Sequence, residues 1–110
     1  MIDALRAATD DVCDALGRAD LRAPSLLPGW TRLTIACHLR YGAEALQRMT
    51  VDALAGRPTS YYPLGRAAQR DGTLMPRAGE SPADVVAELR ATSDTVYPTC
   101  LPDLVDQLEL

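Results

Sequence analysis

The chain has 110 residues, with 11 arginines, no lysine and 15 acidic residues, so its formal net charge is −4. That length holds one domain over residues 1–110, and burying roughly two-thirds of the extended-chain surface supplies a single core without metals or disulfides. Apolar residues at 47% and charged residues at 24% exclude a disordered chain, and scattered arginines in an acidic total exclude a phosphate-binding face for nucleic acid. No apolar run reaches the roughly 18 residues a membrane span needs. Asp3, Asp10, Asp11 and Asp14 interrupt the first turns, which no signal peptide tolerates, so the expected place is the cytoplasm. Cys13, Cys37 and Cys100 are odd in number and lack a C-x-x-C spacing, so they read as small buried hydrophobes.

The apolar pattern is helical throughout. Over residues 2–17, Ile2, Leu5, Val12 and Leu16 fall within about 80° on a helical wheel, with Ala8 and Cys13 beside them and Gly17 as a stop. Residues 18–30 read as a connector, with a turn at Pro28-Gly29. Thr31 stands where an N-cap belongs, and a second helix is expected over residues 32–54. On that helix Ile35, His38, Leu39, Gly42, Ala45, Leu46, Met49 and Ala53 share one sector. Arg32, Arg40, Glu44, Gln47 and Arg48 share the other, with Glu44 and Arg48 spaced as a surface pair.

Between residues 57 and 80 the prolines and glycines predict a long irregular connection with one short helix near residues 66–74. Ser81-Pro82 opens a helix expected over residues 82–97, with Val85, Val86, Leu89, Val96 and Tyr97 on its apolar face. The tail, residues 100–110, places Leu101, Leu104, Val105 and Leu108 at i, i+3, i+4 and i+7, with Asp103, Asp106, Gln107 and Glu109 outside. No strand alternation is present, so the class is all-α, an antiparallel helical bundle.

Among chemistry-bearing groups His38 stands out. Cys37 and His38 are about 100° apart on the helix and form no local dyad. The wheel turns His38 toward the core, between Thr34 and Gly42. Small neighbours there leave room for a metal, a water or a ligand, while a hydroxyl such as that of Thr34 could equally satisfy the ring. Three amphipathic helices and a short tail leave one groove open, which predicts a homodimer or other oligomer with the tail in the interface.

Leu27-Pro28-Gly29-Trp30-Thr31, followed downstream by His38-Leu39, resembles the amino-terminal domain of mycothiol-dependent maleylpyruvate isomerases, within the DinB-like superfamily. Gln69-Arg70-Asp71 and Ser81-Pro82-Ala83 fit the same pattern, and the likeness covers residues 26–97. The resemblance implies a four-helix bundle holding a divalent metal, zinc first, with His38 as the first ligand. It further implies mycothiol as cofactor, with Arg70 and Asp71 as candidate cofactor-binding residues, and isomerase or S-transferase chemistry in an actinobacterial cytoplasm. The family's second and third ligands come from the last helix, as Glu or His followed four residues later by His. This chain has a single histidine. The expectation is therefore a truncated or degenerate member with the last helix short or missing, alternatively a non-catalytic module for a small ligand or a protein.

Overall fold

A computed structural model describes residues 2–96, and the tail with its oligomer-interface expectation lies outside the described residues, as does Tyr97. Four helices follow in order: α1 (Ile2–Arg18), α2 (Arg32–Leu54), α3 (Arg66–Thr73) and α4 (Pro82–Thr95). Among the described residues the sole strand-like feature is an isolated bridge between Pro24 and Thr31. The all-α bundle read from the sequence is the architecture observed.

Local chemistry sets the helix starts. The Thr31 hydroxyl accepts from the Thr34 N–H, which occupies one of the donors left free at the start of α2. At α4 the capping is reciprocal: Ser81 Oγ accepts from Asp84 N, Asp84 Oδ2 accepts from Ser81 N, and Pro82 follows at the first helical position. The α1–α2 connector is also closely bonded. Trp30 N donates to the Leu27 carbonyl at 3.1 Å, with Pro28 and Gly29 in between and Gly29 at φ 79°. That is a turn with proline at its second position and a left-handed glycine at its third, where any side chain would be strained.

α4 is the centre of the bundle, packed against α1 on one side and α2 on the other. One cluster joins Leu21, Ala36, Cys37, Val85 and Val86; a second joins Cys13, Ala43 and Leu89, and Leu16 packs on both. Residue order in these clusters makes α4 parallel to α2 and antiparallel to α1. Val85 and Leu89, at 0% and 3% exposure, each contribute about 1.5–3 kcal/mol by burial.

The core stripes of α1 and α2 are turned relative to the wheel reading. Facing α4, helix α2 buries Ala36, Cys37, Arg40 and Ala43, whereas His38 and Leu39 are exposed. On α1 the buried residue is Cys13, and Leu5 and Val12 remain exposed. Close helix packing selects small side chains, which weighting by hydrophobicity undervalues. The Glu44–Arg48 pair also does not form. Glu44 instead takes Arg77 at 2.8 Å and Arg40 at 3.5 Å.

Candidate functional site

The N-terminal half of α2 carries the site. His38 faces outward, and its ring meets Trp30 edge to face, with centroids 5.4 Å apart and planes at 62°. Trp30 reaches that position because its carbonyl accepts from both Ser25 N (3.0 Å) and Ser25 Oγ (2.7 Å), which lock the turn carrying it. Trp30 is half-buried in this position. Contact of this kind adds roughly 0.5–1.5 kcal/mol beyond area burial and fixes the ring's orientation.

The expectation of a core-facing imidazole is therefore corrected. The sector that the wheel took for the core is open at His38 and Leu39, because α4 packs against the neighbouring stripe there, while Ala45 further along the same sector is fully buried. Nor does Thr34 satisfy His38: its hydroxyl shares a 3.0 Å hydrogen bond with the Thr31 hydroxyl inside the cap.

One turn beyond His38, the Tyr61 hydroxyl lies 3.3 Å from where a Cβ on Gly42 would stand. The glycine is what lets this loop tyrosine lie against the helix. Tyr61 belongs to an aromatic group that the sequence reading missed. Tyr62 stacks on Tyr41 (centroids 5.5 Å, planes at 11°), and Tyr61 meets both edge to face. Tyr41 donates to the Tyr61 carbonyl at 2.6 Å, and Arg48 donates to the carbonyls of Ser60 (3.0 Å) and Tyr61 (3.1 Å). Burial pushes the Tyr61 phenol up, keeping it a neutral donor. Adjacent tyrosines in a Pro-rich loop were the available signal, but their partner on α2 is set by the fold.

Arg70 and Asp71 lie on α3, Arg70 half-buried and Asp71 exposed. α3 leans on the Arg40–Tyr41 side of α2. A cavity of about 210 Å³ opens there among Arg40, Tyr41, Gln69, Gly72, Thr73 and Arg77. Among the described residues, no hydrogen bond or ring contact joins Arg70 or Asp71 to His38. The polar anchor of this side is Arg40, 2% exposed, whose Nη1 donates to Glu80 Oε2 at 2.5 Å. Glu80 also accepts from Arg77 N at 2.6 Å. Chiefly through the Arg40 hydrogen bond, its carboxyl is held below the ordinary range. Burial pushes the Cys37 and Cys13 thiols up, so both are held as thiols.

The profile of the mycothiol maleylpyruvate isomerase N-terminal domain matches residues 2–97. The chain belongs to this family. No curated protein and no solved structure matches the chain. Within the family frame, the metal expectation meets the donor set directly. A tetrahedral or octahedral ion takes three or more protein ligands, and among the described residues no three of His, Cys, Asp or Glu come together. The described part of the domain therefore does not by itself fit a divalent metal. No described helix is long and apolar enough to cross a membrane.

Proposed function

We propose that this domain binds a low-molecular-weight thiol of the mycothiol kind on the open face of α2, with His38 as the group that meets the sulfur. The observation that carries the reading is the imidazole itself. It is exposed, oriented by its contact with Trp30, and set one turn from Gly42, where the Tyr61 hydroxyl lies against the helix. An imidazole changes charge near neutral pH and in its neutral form accepts a hydrogen bond from an S–H. A thiol held there transfers its proton to the ring as it becomes a thiolate, the form that acts as nucleophile. His38 would then be the general base, and Trp30 the wall that keeps the ring in place. The family membership supports this chemistry class, since mycothiol is the thiol in the family's name.

Trp30 is the chain's single tryptophan, so its fluorescence reports on the site directly. Titration with mycothiol should quench or shift that emission in the native protein. The response should be lost in His38→Ala while that variant keeps its fold, as judged by unchanged helical circular dichroism. A mycothiol response that is the same in His38→Ala overturns the proposal. Comparison with the S-methylated thiol separates sulfur recognition from sugar recognition, because methylation removes the S–H.

A further inference from the structure

The cavity between α2 and α3 is lined by Arg40 and Tyr41 of α2, by Gln69, Gly72 and Thr73 of α3, and by Arg77. The thiol reading of His38 does not involve it. We propose that this cavity binds a compact monoanionic carboxylate, held by the guanidinium groups of Arg40 and Arg77.

The state of the hydrogen-bonding groups points to that ligand class. Arg40 is 2% exposed, yet a guanidinium has five N–H donors to place. Among the described residues its Nη1 donates to Glu80, its Nε faces Glu44 at 3.5 Å, and no acceptor meets its Nη2. Arg77 commits Nη2 to both oxygens of Glu44, at 2.9 and 2.8 Å, and among the described residues its Nε and Nη1 meet no side-chain or backbone acceptor. Gln69 is oriented through Oε1, which accepts from Leu64 N at 2.7 Å, so its amide nitrogen is a further unspent donor. The two hydroxyls of the wall have placed their protons already. Tyr41 donates to the Tyr61 carbonyl and Thr73 to the Arg70 carbonyl, both at 2.6 Å. No carboxylate is among the lining residues. A wall with spare charged donors and no anion of its own suits an acceptor-rich guest, and guanidinium with carboxylate is the strongest such match.

Charge selects the monoanion. Glu44 and Glu80 pair with the two guanidiniums without lining the cavity, so the four groups together are neutral. A carboxylate adds one negative charge, which the spare donors can hold, whereas a phosphate dianion adds two. Size agrees, since 210 Å³ equals the share of about seven water molecules and admits a carboxylate with a short carbon chain. Gly72 provides part of that room. Gln69, Gly72 and Thr73 stand at i, i+3 and i+4 on one face of α3, and a Cβ on Gly72 would meet nothing within 4 Å.

The test is a titration of the isotope-labelled full chain with acetate, followed by nuclear magnetic resonance, with sodium chloride at matched ionic strength as control. Amide signals of Gln69, Gly72 and Thr73 should shift saturably with acetate, with a Kd on the order of millimolar, and should not do so with chloride. Arg77→Gln removes one guanidinium at an exposed position and should weaken acetate about tenfold. Gly72→Leu fills the open face with a helix-favouring side chain and should abolish saturation. Helical circular dichroism checks both folds; where Arg77→Gln loses it, Gly72→Leu decides alone. Equal shifts with chloride would reduce the response to screening of the ion pairs and overturn the proposal. Acetate binding unchanged in either folded variant would overturn it too, as would phosphate binding more tightly than acetate.

Discussion

The two flanks of α2 differ in a way that inverts their chemistry. One flank faces α4 and the 57–80 connection, and there an arginine is buried to 2% between Glu80 and Glu44. The other flank carries His38 and Leu39, both exposed, although they share the apolar sector of the helical wheel. Cys37 and His38 are adjacent in sequence and fall on opposite sides of this divide, one fully buried and one open. Burial on a helix is thus decided by which neighbour packs closest. A charge enters the packed flank when partners meet it there, and an apolar stripe stays open when none does.

Removing the buried charge should separate the flanks most sharply. Arg40→Ala leaves Glu80 and Glu44 without their shared cation and opens a void against α4. It should lower the unfolding free energy in urea by about 3 kcal/mol. His38→Ala, on the open flank, loses only the ring contact with Trp30 and should cost about 1 kcal/mol in the same measurement. Equal losses would erase the distinction.

A smaller effect tests the ion pair through pH. Glu80 has its folded carboxyl lowered, so its contribution is present above the ordinary carboxyl value near 4.5 and lost as pH falls through the folded value. Glu80→Gln should cost about 1 kcal/mol at neutral pH. Its stability should start to approach that of the native protein below about pH 4.5 and converge as pH falls through the lowered folded value, where the native carboxyl becomes protonated. A constant difference between the two from pH 7 to pH 3 would contradict the assignment.

The smallest effect concerns the seam between Gly42 and the Tyr61 hydroxyl. Alanine is favoured over glycine inside a helix by about 0.5–1 kcal/mol, but here its methyl would meet the hydroxyl at 3.3 Å. Gly42→Ala should therefore gain less in the native background than in Tyr61→Phe, where the oxygen is gone. A difference of a few tenths of a kcal/mol between the two backgrounds is expected from thermal melts. Identical gains would mean that the two residues do not touch.

How far the sequence alone reached can be read from particular residues. Thr31 and Ser81-Pro82 announced two helix starts, because a side-chain oxygen bonding an amide two or three residues on is local chemistry. Pro28-Gly29 announced the turn that carries Trp30, and the family that Pro-Gly-Trp-Thr with His-Leu resembles is the one whose model matches residues 2–97. The apolar faces were legible as faces, and Val85, Val86 and Leu89 are in the core as read.

Tertiary structure alone decided which face meets which. The small residues Ala36, Cys37 and Ala43 admit α4 closely, so the core stripe of α2 lies one step around from its most hydrophobic stripe. Arg40 finds Glu80, and Tyr41 finds Tyr61 and Tyr62, across intervals in sequence that carry no local signal. Caps and turns are written within a few residues, where bond geometry limits the alternatives. Burial, ion pairing and the openness of His38 depend on surfaces distant in sequence, and these become neighbours only when the helices pack.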